Sequence, residues 1–300
     1  MRRLTWVAAL CTAIGLAGTA LALQTLFTDF EGFKVGASIN GQNGWGVSNP
    51  AFDQQVVSDG GNTVWRVSNA VASGSFGDMP FAPRLGGIPV DTVTNPTNSS
   101  PGAFAGETST GTSLDRYRAM FSFRSATGAP QPGARITVSA DNGQGGRQSF
   151  IALEDTTTGI NVSTYDLDNG GNFIGAHGCT LGVTDPCPGI VIASGLSFKK
   201  WHTTSVDIRF KDGPSNDKVK YFVDGKLVHT GPSWEQFYSN FQAAENPLGV
   251  PVQTLLFRLS GDPQPTVLGG GYYIDNVGQS VSRSGDGNDH DKDSHDNNDD

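Results

Sequence analysis

The sequence has little charge and, past its start, no long apolar run. Only 16% of its 300 residues are charged and 36% are hydrophobic, and both values are low for a globular protein. The net charge of −9 argues against a nucleic-acid partner, because phosphates attract basic proteins. No apolar stretch after Ala22 is long enough to span a membrane. The 17 Phe and five Trp exclude a wholly disordered chain.

Residues 1–22 have the pattern of a secretory signal peptide. Arg2 and Arg3 precede a short apolar run, and Ala20-Leu21-Ala22 is a small-residue cleavage site. The alternative is a membrane anchor, but glycine and threonine residues interrupt the run. We therefore expect export to the extracellular space or the periplasm.

Cysteine is scarce, with three residues in the chain. Cys11 lies in the predicted signal peptide, which leaves Cys179 and Cys187 in the mature protein. An oxidising compartment and an even count predict a disulfide between them. A metal pair with His177 is the alternative, although no further ligand lies at a zinc-like spacing.

The remaining pattern predicts strands rather than helices, since the 40 glycines disfavour long helices. Residues 118–123 and 205–210 alternate apolar and polar side chains. Asp224-Gly225 separates two further runs and predicts a hairpin. Residues 233–241 predict the single helix, capped by Ser233. Other strands are expected at 24–30, 55–59, 63–69, 134–140, 147–154, 159–167, 252–259 and 272–279.

These elements predict one all-β domain over residues 23–283, built as a two-sheet antiparallel β-sandwich with one short helix. The stretch 82–114 is rich in Pro, Gly, Ser and Thr and predicts a large surface loop. The tail 284–300 contains seven Asp, one Lys and no apolar residue. We expect this tail to be disordered.

Three segments resemble a known superfamily. Phe30-Glu31-Gly32 with Gly44-Trp45 opens the domain, Tyr273-Ile274-Asp275-Asn276-Val277 closes it, and Tyr221-Phe222-Val223-Asp224-Gly225-Lys226-Leu227-Val228 forms the hairpin. Together they resemble the concanavalin A/laminin-G-like superfamily and its jelly-roll carbohydrate-binding modules. The resemblance implies a jelly-roll fold. In many such modules a structural calcium joins the first and last strands, with Glu31 and Asp275 as the implied ligands here. The alternative is that both are ordinary polar residues at strand ends.

Catalytic motifs of that superfamily are missing. The E-x-D-x-x-E motif of laminarinase-type hydrolases, which places two carboxylates in one cleft, does not occur. The Gln-x-His strand of jelly-roll alginate lyases and the Gly-x-Ser-x-Gly elbow are also missing. Two of the five histidines lie in the tail, which leaves few candidate bases.

Binding of a glycan is the function best motivated by the sequence. Sugar rings stack on aromatic side chains, and amides bind their hydroxyls. Trp45 lies in a loop with Gln42 and Asn43, and Trp234 follows Gly231-Pro232-Ser233. Either tryptophan could instead fill the core. We predict a secreted glycan-binding sandwich, with a polysaccharide lyase or glycoside hydrolase of atypical site as one alternative and a cell-surface or matrix structural protein as the other.

Overall fold

The computed structural model describes residues 24–47, 52–71, 79–85, 114–184, 186–211, 215–242, 250–259 and 263–282. The predicted signal peptide, the acidic tail and most of the loop 82–114 lie outside these residues. One α-helix, α1 (Glu235–Phe241), and two 3₁₀ turns accompany the strands described. The strands are β1 (Gln24–Thr28), β2 (Gly46–Val47), β3 (Gln54–Asp59), β4 (Asn62–Val67), β5 (Pro80–Phe81), β6 (Arg116–Ser125), β7 (Arg135–Asp141), β8 (Ile151–Asp155), β9 (Ile160–Thr164), β10 (Asp166–Leu167), β11 (Phe173–Ile174), β12 (Ile190–Leu196), β13 (His202–Arg209), β14 (Lys218–Val223), β15 (Lys226–Gly231), β16 (Thr254–Arg258) and β17 (Tyr272–Ser282).

The larger sheet, sheet I, is entirely antiparallel in the part of the chain described. Its order is β15-β14-β13-β6-β17-β4-β3, and β1 also pairs with β17. The last strand is therefore central, and it contacts β6, β4 and β1. A bulge between Asp275 and Gly278 lets β17 change partners along its length.

The second sheet, sheet II, has the order β12-β9-β8-β7-β16-β5-β2. Its described pairs are antiparallel as well. Two packed antiparallel sheets with one helix confirm the β-sandwich that the sequence pattern predicts and the jelly-roll resemblance implies. In the described ranges, no helix has the length and apolar character needed to cross a bilayer.

The main core lies between the sheets and is rich in aromatic rings. Trp65 and Phe121 of sheet I contact Phe257 of sheet II, with ring centroids 5.3 and 5.4 Å apart. Alternate residues of each strand enter this core, as expected for the period of a strand. Such rings bury large apolar areas and hold the two layers in register.

A second apolar cluster covers the other face of sheet II. Ala152 points away from the main core, because its neighbours Ile151 and Leu153 point into it. Phe150, Trp234 and other aromatic residues pack around Ala152. Helix α1 is thereby fixed against the outer side of sheet II.

The structure confirms the predicted hairpin, helix and disulfide, each of which depends on a short stretch of sequence. Asp224 and Gly225 have positive φ values of 49° and 77°, as a two-residue hairpin turn requires, and β14 pairs with β15 on either side. The predicted helix is present, although Trp234 rather than Ser233 is its N-cap residue. Cys179 and Cys187 form the predicted disulfide, so the metal-pair alternative is excluded. Strand β12 is an addition that the sequence pattern did not predict.

Candidate functional site

Trp45 belongs to the core and is not a surface platform for sugars. Its side chain is 1% exposed, and its ring lies 5.5 Å from those of Phe30 and Trp65 and 5.7 Å from that of Phe257. The Trp45 indole N–H donates to Thr28 Oγ1 at 3.4 Å. Of the two roles considered for Trp45, the structure therefore fits core packing.

The polar residues beside Trp45 shape its turn. Gln42 Oε1 accepts the backbone N–H of Lys34 at 2.7 Å, and Gln42 Nε2 donates to the Ser38 carbonyl. Asn43 is exposed and has a φ of 45°, a left-handed conformation that asparagine tolerates. Both polar atoms of the Gln42 amide are therefore hydrogen-bonded within the turn. The ring of Trp45 is buried and does not form a sugar-binding surface with Gln42.

Trp234 is also buried, within the second cluster. Its ring lies 4.5 Å from that of Phe173, and the Arg147 guanidinium lies 4.9 Å from its centroid. The residues on either side of Trp234 have a different environment, because Ser233 and Glu235 line a polar cleft.

This cleft, the α1 cleft, opens at the beginning of helix α1. Three separate segments form it: the turn after β10, the residues before β14, and the link from β15 into α1. It is open to solvent and has a cavity volume of about 50 Å³. Its lining residues are Leu167, Asp168, Asn169, Ser215, Asp217, Pro232, Ser233, Glu235 and Gln236.

Asp217 is the buried acid of the α1 cleft. Its Oδ1 accepts the backbone N–H of Lys211 at 2.8 Å, and its Oδ2 accepts the Ser233 hydroxyl at 2.8 Å. Burial raises the pKa of Asp217 to about 7, even though these two hydrogen bonds favour the charged form. A large fraction of Asp217 is therefore protonated at neutral pH.

Glu235 and Gln236 bring further oxygen and nitrogen atoms to the same place. Glu235 is 2% exposed, and its Oε2 accepts the Ser215 backbone N–H at 3.1 Å. The Ser215 hydroxyl donates to Gln236 Oε1, while Gln236 Nε2 donates to Asn240. These side chains are held in place by their neighbours, which is the arrangement that a binding site needs.

The exposed rim of the cleft is a rigid turn. Asp168 Oδ1 accepts the backbone N–H groups of Gly170 and Asn172 at 2.8 and 2.9 Å, and the Asn172 side chain holds the pKa of Asp168 below its ordinary value. His229 Nε2 lies 2.9 Å from Asp166 Oδ1 and joins β15 to β10, the strand that precedes this turn. Asn169 stands exposed between these anchors.

Sequence reasoning reached only the edge of this site. It singled out Trp234, whose neighbours line the cleft, but not Asp217, Glu235 or Gln236. Glu235 in the first turn of a predicted helix was the available local signal, because acidic residues favour that position. Nothing local connects it to Asp168, 67 positions away in the chain.

Glu31 and Asp275 lie near each other, and both accept hydrogen bonds from the start of β4. Asp275 Oδ2 accepts the Asn62 side-chain amide at 2.9 Å, and Glu31 Oε1 accepts the Thr63 backbone N–H at 3.3 Å. Burial raises the pKa of Asp275 to about 6, and the like charges of Asp29 and Glu31 add to the effect. An all-oxygen set of carboxylates fits a hard cation in chemistry. Within the described ranges, however, no three His, Cys, Asp or Glu side chains are close enough to hold a metal ion.

A second buried polar group lies under α1 and is structural. The Arg147 backbone N–H donates to the Tyr238 hydroxyl at 2.6 Å, and burial raises the pKa of Tyr238 to about 12. Asp141 Oδ1 accepts the backbone N–H groups of Gly143 and Gly145 at 2.6 and 3.1 Å. All three side chains are enclosed, so they stabilise the 141–147 loop and offer no surface to a substrate.

Comparison with known proteins gives distant structural similarities only. No protein-family model matches the chain, and no curated protein matches it at a significant level. An alginate lyase variant in complex with alginate trisaccharide is 15% identical over 87% of this chain and 98% of its own, with a TM-score of 0.45. An alginate lyase from Pseudomonas aeruginosa is 9% identical over 76% and 86%, with a TM-score of 0.40. A Bacillus licheniformis beta-glucanase is 14% identical over 87% and 98%, with a TM-score of 0.36. Values this low say nothing about the activity of this chain.

Proposed function

We propose that the protein is a secreted glycan-binding β-sandwich and that the α1 cleft is its binding site. The observation that supports this proposal is the set of fixed polar side chains around the cleft, with Asp217 and Glu235 at its base. Sugar hydroxyls are both donors and acceptors, so carboxylate, hydroxyl and amide groups can all bind them. The disulfide fits the oxidising compartment that export implies.

The charge of the cleft selects among glycans. Asp168 is charged at neutral pH, because the hydrogen bonds from Asn172 lower its pKa, and Asp217 gains negative charge as the pH rises past about 7. A uronate or sulfated sugar would meet like charges there, which is unfavourable in a partly buried site. The proposed ligand is therefore a neutral sugar unit, either at the end of a chain or as a branch.

A matched pair of asparagine variants tests the site. Asn169→Ala removes an amide from the rim of the α1 cleft, and Asn43→Gly removes one from the Trp45 turn, where a positive φ suits glycine. Calorimetric titration would use a neutral oligosaccharide selected on a glycan array. Loss of one hydrogen bond of roughly 1 kcal/mol weakens binding about fivefold. We expect this loss in Asn169→Ala and unchanged affinity in Asn43→Gly.

Other outcomes reject the proposal in distinct ways. Loss confined to Asn43→Gly would move the site to the Trp45 turn. Equal affinities in both variants and the parent would exclude the α1 cleft. No binding by any neutral glycan on the array would favour the cell-surface or matrix structural protein.

A glycoside hydrolase is the second candidate, and the raised pKa of Asp217 favours it. A carboxylic acid with a pKa of about 7 can donate a proton to a glycosidic oxygen near neutral pH. Glycosidases pair such an acid with a second carboxylate, and Glu235 lines the same cleft. New reducing ends that disappear in Asp217→Asn would establish hydrolysis, whereas bound but intact oligosaccharide would establish binding alone.

We also propose a structural calcium at Glu31 and Asp275. The proximity of like-charged carboxylates supports it, because a divalent cation would relieve their repulsion. Its role would be to join the segment after β1 to the centre of β17.

A further inference from the structure

A row of side chains across the outer face of sheet I is apolar at most of its positions. In β6, Met120 lies between two core residues, so its side chain points away from the core. The strand registers continue the row from β1, through β17, β6, β13 and β14, to β15. In this order, the apolar row consists of Phe27, Gly278, Met120, Ser205, Phe222 and Leu227.

The apolar row lies at the surface of the protein. Phe27 and Leu227, at its two ends, are 46% and 52% exposed, and Met120 and Phe222 are half-buried. A Cβ on Gly278 would lie 3.2 Å from Met120 Cγ and 3.6 Å from Phe27 Cδ2, so these two side chains meet over the glycine. The outer face of sheet II is covered by α1 and its aromatic cluster. The outer face of sheet I instead presents contiguous apolar surface, which is typical of an interaction site.

Large and small residues occupy complementary positions in the apolar row. A two-fold axis parallel to the strands, between β6 and β13, reverses the row on a second copy and places every small residue opposite a large one. Gly278 then faces Phe222 of the second copy, and Ser205 faces Met120. The two ends match as well, because an aromatic ring faces a leucine. Such an interface is isologous, so each contact occurs twice, and its side chains can interdigitate as they do in a core.

The polar side chains beside the apolar row fit the same axis. In the next row, Arg118 of β6 and Asp207 of β13 are directly opposite each other, and the Arg118 side chain is 51% exposed. The axis places Arg118 opposite Asp207 of the second copy, so opposite charges meet across the interface. Two rows to the other side, the Arg124 guanidinium lies 5.2 Å from the ring centroid of Trp201. The same axis brings Arg124 to Trp201 of the second copy, where a cation–π contact is favourable.

We propose that two copies of the chain form a symmetric dimer through the outer faces of their sheets I. The face spans five strand spacings from β1 to β15, about 24 Å, and extends about 30 Å along β6. These dimensions suit an interface of standard size, which buries roughly 800 Å² on each partner. Phenylalanine and methionine are enriched in the centres of protein interfaces, which favours a protein over a sugar as the occupant. The self-complementary order of the apolar row favours a second copy as that protein.

The dimer leaves both α1 clefts accessible. Helix α1 lies on the outer side of sheet II, so the two helices face away from each other in the dimer. This consequence rests on the proposed function: if the α1 cleft binds glycans, a dimer binds a branched or repeated glycan at two points and with higher avidity. The association of the two copies does not depend on glycan binding, so each proposal can fail without the other.

Sedimentation equilibrium of the exported protein tests the association. We expect twice the mass of one chain. Leu227→Ser removes the contact of that leucine with Phe27 twice in a symmetric dimer and should raise the dissociation constant roughly tenfold or more. The matched control is Leu181→Ser, because Leu181 is 48% exposed in the disulfide loop and should leave the dissociation constant unchanged. A monomeric parent, or equal effects of the two substitutions, would overturn the proposal.

Paired cysteines test the arrangement of the two copies. Phe27 and Leu227 are about 24 Å apart on one chain, too far for a disulfide within it, but they face each other across the proposed interface. The full chain with Phe27→Cys and Leu227→Cys should therefore form a covalent dimer on mild oxidation. Neither single variant should do so, because the axis holds identical positions far apart. No covalent dimer of the double variant, or an equal yield from either single variant, would show that the copies do not pack in this way.

Discussion

The Ser233 hydroxyl donates to Asp217 Oδ2 at 2.8 Å and accepts the backbone N–H of Glu235 at 3.2 Å. One hydroxyl thus links the buried acid of the α1 cleft to the first turn of helix α1. The pKa of Asp217 lies near 7 instead of its ordinary 3.8 because burial disfavours its charged form. The folded protein therefore retains a proton that the unfolded chain releases at lower pH.

This raised pKa predicts how stability changes with pH. Between about pH 4 and pH 8 the folded state binds more protons than the unfolded state, so the free energy of unfolding falls as the pH rises. Asp141, Asp155 and Asp275, with pKa values of about 6, act in the same direction, and their effect is nearly complete by about pH 7. Asp217→Asn should therefore flatten the curve between about pH 7 and pH 8, measured by urea unfolding. The control Asp141→Asn should keep that slope, and an unchanged slope in Asp217→Asn would contradict the assignment.

Trp45→Ala should destabilise the fold strongly. Removal of a fully enclosed ring that contacts three aromatic neighbours costs roughly 3–5 kcal/mol in the free energy of unfolding. Trp201 is 37% exposed, so Trp201→Ala is the matched control and should cost much less. Chemical denaturation of both variants provides the measurement, and similar losses in the two would place Trp45 outside the core.

The disulfide should stabilise the folded protein modestly. It closes a short loop, and the chain-entropy argument gives roughly 2–3 kcal/mol for loops of this size. Cys179→Ala with Cys187→Ala should lower the free energy of unfolding by that amount. Alkylation of native secreted protein followed by intact-mass analysis checks the bond itself, since two alkylated thiols would show that it is not formed.

Calcium should raise the melting temperature if it binds at Glu31 and Asp275, because a ligand of the folded state stabilises that state. The right background is a full-length variant in which the seven aspartates of the tail 284–300 are changed to asparagine, since these aspartates would bind cations weakly on their own. Chelator should lower the melting temperature of this background and leave Glu31→Gln with Asp275→Asn unaffected. No effect of chelator on the background would reject the site.

The sequence predicts those elements whose formation depends on neighbouring residues in the chain. The 218–231 hairpin follows from Asp224-Gly225 and its alternating flanks, and helix α1 follows from its aromatic spacing. The sequence pattern does not predict strand β12, because its pairing with β9 has two register shifts and its side chains therefore do not alternate regularly. The residues next to Trp45 in the sequence do not predict its burial either. The rings that enclose it, Phe30, Trp65 and Phe257, come from other parts of the chain. The sequence does not predict the α1 cleft for the same reason, because its lining residues come from three separate segments of the chain.

The central place of β17 constrains the order in which the protein can fold. Residues 272–282 fill the gap between β6 and β4 and also pair with β1, so sheet I is interrupted until the end of the domain has been synthesised. Contacts between such distant parts of a chain form slowly, and the exposed edges of β6, β4 and β1 invite aggregation in the meantime. Before β17 is in place, sheet I can form only as separate parts, β15-β14-β13-β6 on one side and β4-β3 on the other. The last strand of the domain is therefore the one that joins the two halves of sheet I.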